Sequence, residues 1–191
     1  MLIGPLRYGG TRVPGMRLDR ERIAGSRPIM RRLDTLVAEP ALLPAPDVPS
    51  YEQVLEAERW GDEVFQGVVR RIIGVAFVRR PAAMESYAGD AKLPLPAALA
   101  RSGLPLTARM LARRNNAHDE SAQADLAALP ETLDRIDAWI ADGLLGGDQP
   151  NAADLQIGGS MRFLMSIGDV RPLIEARPSA RLTRYFPPLA G

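Results

Sequence analysis

The sequence predicts a mainly α protein: a short β-hairpin and one helix, a proline-rich linker, and then an all-helical domain. Three observations carry that expectation. Pro40, Pro44, Pro46 and Pro49 crowd one short stretch, and neither a helix nor a central strand survives that density. Beyond them, apolar residues recur at three- and four-residue steps almost to the end of the chain, as amphipathic helices require. Before them, two short strand-like runs flank Asp19-Arg20, which reads as a tight turn. The expected units are residues 1–38, the linker 39–49 and the helical domain 50–191, with the linker separating two packing units.

The hairpin is expected over Val13 to Leu18 and Glu21 to Ala24. Gly25-Ser26 breaks it. Ser26 is a good N-cap, and Pro28 tolerates the first helical turn because its missing N–H is not needed there. The helix that follows, Pro28 to Val37, places Ile29, Met30, Leu33, Leu36 and Val37 on one core-facing side.

After the linker, Ser50 should cap a long helix reaching about Val78. Val54, Ala57, Gly61, Val64, Phe65, Val68, Val69, Ile72, Ile73, Ala76 and Phe77 form its buried face. Pro81 stops it. Ala82 to Pro96 reads as irregular and Leu104 to Arg114 as helical. Ser121 to Asp142 is a further helix, or two joined near Pro130, with a stripe of Leu126, Leu129, Leu133, Ile136 and Ile140. Gly143 and Gly146-Gly147 end it, since glycine tolerates the left-handed C-cap geometry. Asn151 to about Ile167 is the next helix, and a short one starts near Arg177-Pro178.

Composition narrows the chemistry. The chain of 191 residues has no Cys and a single His, His118. Disulfides, thiolate metal sites and a Cys nucleophile are excluded, as are multi-His zinc sites. No metal is expected. A net charge of +1 argues against a chain built to coat nucleic acid. No run reaches the roughly 20 apolar residues of a membrane span, so neither nucleic acid nor membrane is an expected partner, and a cytoplasmic location is expected. Lys92 is the only Lys, so 23 of 24 basic residues are Arg, the better side chain for clamping anions; a coding bias toward Arg explains the same count.

Two motifs carry information. In Asn151-Ala152-Ala153-Asp154, Asn151 fits an N-cap and Asp154 the N3 position of a capping box. That is a stability device. The second is Val13-Pro14 before a strand, then Gly25-Ser26-Arg27 opening a helix. A proline before a strand can be cis and turn a backbone edge outward. Beside a helix N-terminus, such an edge suits a small peptide-like anion.

In this order the motifs resemble the glutathione S-transferase family, from about Thr11 to the end. The resemblance implies a partial thioredoxin-like hairpin and helix followed by the family's all-α C-terminal domain. It implies glutathione, or another low-molecular-weight thiol, as cosubstrate, a small electrophile as the other substrate, and a homodimer. Val13 would pair its backbone with the cysteinyl part of glutathione, with Pro14 cis. Ser26 would bind the γ-glutamyl carboxylate. The family usually has Glu or Gln at the position of Gly25, and Arg27 would compensate as a carboxylate partner.

The family's catalytic Tyr, Ser or Cys lies near the end of a first strand with no counterpart before Val13. Tyr8 and Thr11, the hydroxyl side chains there, do not match it. No catalytic residue is assigned, and thiolate transfer is expected to be impaired, because the thiolate is the nucleophile. An N-terminally shortened member is the resulting expectation. A non-catalytic binding or interaction module built on the helical domain is the alternative.

Other features have plain readings. His118-Asp119-Glu120-Ser121 is an exposed helix boundary with Ser121 as N-cap. Arg109, Arg113 and Arg114 share a solvated helix face, joined by Arg70-Arg71 and Arg79-Arg80. Trp60 and Trp139 belong to the core or an interface. The resemblance makes Met84, Tyr87 and Met110 candidate lining residues of an electrophile pocket.

Overall fold

The computed structural model describes residues 14–37, 39–84 and 102–187. The protein is mainly helical, with one two-stranded antiparallel sheet. Strands β1 (Gly15–Leu18) and β2 (Glu21–Ala24) pair Gly15 with Ala24 and Leu18 with Glu21. Asp19 takes the turn at φ 51°, a left-handed conformation that Asp tolerates better than most residues. Val13 lies outside the described residues, so the strand is seen from Gly15 onward.

Helix α1 runs from Ser26 to Leu36. Ser26 is not its N-cap. Gly25 occupies that position at φ 102° and ψ 147°, a conformation open to glycine because it has no Cβ. Ser26 is thereby moved into the first helical turn. The expected core face is also corrected. Met30 is buried, but Leu33, Leu36 and Val37 are 40%, 49% and 57% exposed. The helix meets the bundle through Ser26, Arg27 and Arg31 at its N-terminal half, which turns its C-terminal apolar stripe outward.

The proline-rich stretch is tied at Leu42, whose two main-chain groups join α1 to the helical bundle. Leu42 N–H donates to Asp34 Oδ1 of α1 at 2.6 Å, and Leu42 C=O accepts from Ala152 N–H at 2.8 Å. Leu43 packs against the main core. The cis peptide lies at Glu39-Pro40. The Val13-Pro14 bond falls outside the described residues.

Beyond it, one helical run crosses the bundle in three parts: α2 (Ser50–Trp60), a π-helical turn (Gly61–Phe65) and α3 (Gln66–Arg79). Pro49, not Ser50, is its flanking N-terminal residue. The wider π turn shifts the phase of the apolar stripe. Phe65 points fully inward, whereas Val64, expected in the core, is 48% exposed.

Helix α4 (Leu104–Arg114) packs on α3. Helix α5 (Asp119–Ala141) is continuous through Pro130, with no second helix. Pro130 is exposed, so its ring projects away from the core. Leu129, Leu133, Ile136 and Ile140 are buried as the stripe requires, while Leu126 is exposed. The N-cap of α5 is His118, not Ser121, because the chain enters the helix two residues before Ser121.

Gly143 and Gly146 take positive φ, 73° and 75°, in the turn after α5. Helix α6 (Ala152–Leu164) then enters the core, with Ala153, Ile157, Met161 and Leu164 buried. A short α7 (Arg171–Glu175), which no periodicity announced, and a 3₁₀ segment (Pro178–Tyr185) close the described chain. Ile174 and Leu182 anchor these last two pieces in the core. Among the described residues no helix is long and apolar enough to cross a membrane.

Candidate functional site

The sequence-predicted residues Pro14, Gly25, Ser26 and Arg27 gather at the N-terminus of α1. Gly25 N–H donates to Pro14 C=O at 2.8 Å, closing the hairpin just before the helix begins. No side chain caps α1, and its first turn holds no acidic residue. The positive end of the helix dipole is therefore not neutralised from within the helix.

Ser26 faces α6. Its Oγ donates to Gln156 Oε1 at 2.8 Å. Gln156 reaches it because α6 and the π turn approach closely. A Cβ added at Gly61 would lie 2.8 Å from Ile157 Cγ1 and 3.2 Å from Gln156 Cγ. Only a residue without a side chain fits that crossing.

Arg27 faces α2 and the π turn. Its Nε lies 3.5 Å from Glu58 Oε2, and its Nη1 lies 3.8 Å from Glu63 Oε1. The Nε is buried and makes no hydrogen bond. Arg31, one turn along α1, holds Glu58 more firmly. Its Nη1 donates to Glu58 Oε1 at 3.1 Å, and its Nη2 donates to Oε2. Glu58 has 0% exposure, so a wholly buried carboxylate faces two guanidiniums that are each about one-third exposed. The paired arginines supply the compensation that a buried charge requires.

Glu58 was not among the residues singled out from the sequence. Its signal was there: it stands between Val54 and Gly61 on the apolar stripe of α2, where a charged side chain is out of pattern.

Asn151 and Asp154 form the expected capping box of α6. Asp154 N–H donates to Asn151 Oδ1 at 3.0 Å, and Asn151 N–H donates to Asp154 Oδ2 at 2.9 Å. Asp154 does more than cap. Its Oδ1 also accepts from Gly146 N–H at 2.7 Å, fixing the preceding turn. Burial pushes its carboxyl pKa above the ordinary value, against the backbone donors and Arg184, which pull it down. This box stands at the head of the helix that presents Gln156 to Ser26.

The remaining candidates are dispersed. Met84 packs against the core, Met110 is exposed on α4, and Tyr87 lies outside the described residues. Arg109, Arg113 and Arg114 are exposed. Trp60 and Trp139 meet edge to face at 5.2 Å, and the Arg135 guanidinium lies 4.9 Å from the Trp139 ring centre and 5.2 Å from that of Trp60. Among the described residues no three His, Cys, Asp or Glu side chains group as metal ligands.

The arrangement offers main-chain N–H groups at a helix start, one serine hydroxyl and one guanidinium. It suits carboxylate binding. Among the described residues at that helix start, the one hydroxyl, Ser26 Oγ, donates to Gln156 and is not left to polarise a thiol. No protein-family model matches the chain, and no curated protein matches it.

Proposed function

We propose that the chain is a glutathione S-transferase-like protein that binds glutathione, or another small thiol of that kind, at the N-terminus of α1. The single observation that supports this most is the uncapped first turn of α1, with Gly25 at its head and Arg27 beside it. The γ-glutamyl carboxylate of the tripeptide would take the Ser26 main-chain N–H. The Ser26 Oγ hydrogen is directed to Gln156, so the hydroxyl changes partner to serve the ligand. Val13 and Pro14 would hold the cysteinyl backbone. The partial thioredoxin-like reading of the hairpin and α1, the family's helical domain in residues 50–191, and a homodimer belong to the same proposal. Transfer of the thiolate to a small electrophile is its reaction, weakened because no residue of the chain is assigned to stabilise the thiolate.

A second reading is favoured by a specific observation. Ser26 and Arg27 already serve the contact between α1 and the bundle, through Gln156, Glu58 and Glu63. Their role would then be to fix α1, and the chain would be a non-catalytic interaction module. Purified protein, glutathione and a chloronitroaromatic acceptor separate the readings. Turnover above the uncatalysed rate that disappears in Ser26→Ala supports the first. Absence of turnover and of retention on immobilised glutathione supports the second.

A further inference from the structure

The sequence holds two tryptophans, Trp60 and Trp139, and the fold brings both to one half-buried corner between α2 and α5. The rings stand nearly perpendicular, at 78°, with centres 5.2 Å apart. Phe65, fully buried, stacks on Trp60 at 5.7 Å and fixes its plane from the core side. A cation already occupies the corner. The Arg135 guanidinium lies 4.9 Å from the centre of the Trp139 ring and 5.2 Å from that of Trp60, within reach of both π systems. Its Nη2 donates to Glu56 Oε1 at 3.2 Å. We propose that this corner is a binding site for a small quaternary ammonium compound, held shut by Arg135, which the ligand displaces.

Helix geometry assembles the four groups. Glu56 and Trp60 stand four residues apart on α2, and Arg135 and Trp139 four apart on α5. Each helix therefore brings one ring and one charge to the same seam. Asp134 and Asp137 of α5 are engaged by Arg177, and the carboxylate that meets the cation is Glu56.

The internal cation is held loosely. The Arg135 and Glu56 side chains are 47% and 58% exposed, and an ion pair so open to water contributes little. A cation that suits the corner better can replace it. A primary ammonium brings three N–H donors to a corner whose acceptor is the Glu56 carboxylate alone among the described residues. A quaternary ammonium brings none. Its alkyl groups rest on the two rings, and its charge is met by the π systems and by Glu56. The rim is charged, so it suits a free cation in solution rather than a lipid headgroup, whose acyl chains need an apolar bed.

Tryptophan emission reads the site directly, because both tryptophans of the chain belong to it. Tetramethylammonium chloride is titrated into the whole chain, against sodium chloride at matched ionic strength. Emission should change saturably with tetramethylammonium and not with sodium. Arg135→Ala should bind about threefold more tightly, since the internal competitor is gone. In that background Trp139→Leu should lose saturable binding, with Trp60 left as the reporter. Glu56→Gln, at an exposed position that folding does not depend on, should weaken binding about threefold in the same background. Emission that follows the sodium control in both the wild type and Arg135→Ala overturns the proposal. So does binding no tighter in Arg135→Ala than in the wild type, or binding unchanged by Trp139→Leu or by Glu56→Gln. Phosphatidylcholine vesicles separate the sources of such a group: protein left in the supernatant supports a free cation, and protein that sediments with the vesicles overturns that assignment.

Discussion

Ser26 Oγ donates to Gln156 Oε1 across 130 positions of sequence, at 2.8 Å. The bond closes a ring of contacts. Asp34 of α1 holds Leu42, Leu42 holds Ala152 at the head of α6, and α6 returns Gln156 to α1. The hairpin and its helix are fastened by polar contacts from Ser26 at one end of α1 to Asp34 near the other, with the buried Glu58 between them.

Removing the buried carboxylate should loosen that fastening. Glu58→Ala leaves Arg27 and Arg31 without their buried partner. Both arginines are one-third exposed, so water recovers part of the loss, and the expected destabilisation is about 2 kcal/mol. Urea unfolding gives the value, and a variant as stable as the wild type would contradict the role assigned to Glu58.

The Ser26–Gln156 bond is measurable as a coupling. Ser26→Ala and Gln156→Ala each remove one partner, and the double variant removes both. A coupling energy of about 1 kcal/mol is expected from the four unfolding curves. Strict additivity would show that the two side chains do not interact in solution.

Asp154 predicts a pH dependence whose sign is fixed by burial. Its carboxyl pKa is raised in the folded chain. Its titration therefore favours folding most when protonated, below the ordinary carboxylate range, and that advantage is lost as pH rises through the raised value. Asp154→Asn lacks this titration and also loses an acceptor for Gly146 or Asn151 N–H. The variant should be less stable, and the gap to the wild type should narrow from about pH 3.5 to pH 7. Urea midpoints of both proteins across that range check it; a gap that widens with pH contradicts the sign.

Two glycines should respond differently to alanine. At Gly158 a Cβ would lie 2.7 Å from Leu182 C=O and 2.9 Å from the Phe186 ring. The carbonyl belongs to backbone, so Gly158→Ala should cost about 2 kcal/mol despite the helix propensity it gains. At Gly143 a Cβ meets nothing within 4 Å, but φ is 73°. Gly143→Ala should cost about 1 kcal/mol through backbone strain alone. Thermal unfolding of both variants ranks them.

The parts legible in the sequence are those set by local rules. The Asn151–Asp154 box follows from side-chain type at fixed spacing, and the buried stripe of α5 follows from its period. Local rules also misplace residues. Glycine's freedom at Gly25 takes the cap position from Ser26, and a π turn invisible to a fixed period turns Val64 outward. Pro130 continues a helix because its ring faces solvent, and the surrounding packing carries the chain past it. Glu58 shows in the sequence only as a charge out of pattern on the α2 stripe, and Gln156 not at all. Their partners lie 27 and 130 positions away, and no spacing rule spans that distance. Leu33, Leu36 and Val37 are apolar at helical spacing yet exposed, since periodicity marks a face without saying what covers it.

The most direct test of the proposed function is calorimetric titration of glutathione into the whole chain, with Arg27→Ala alongside. Saturable binding that weakens at least tenfold in Arg27→Ala is expected if the N-terminus of α1 takes the γ-glutamyl carboxylate, as loss of a charge-assisted bond worth about 1.5–3 kcal/mol implies. No binding heat at millimolar glutathione, in a sample whose unfolding curve shows it folded, would contradict it.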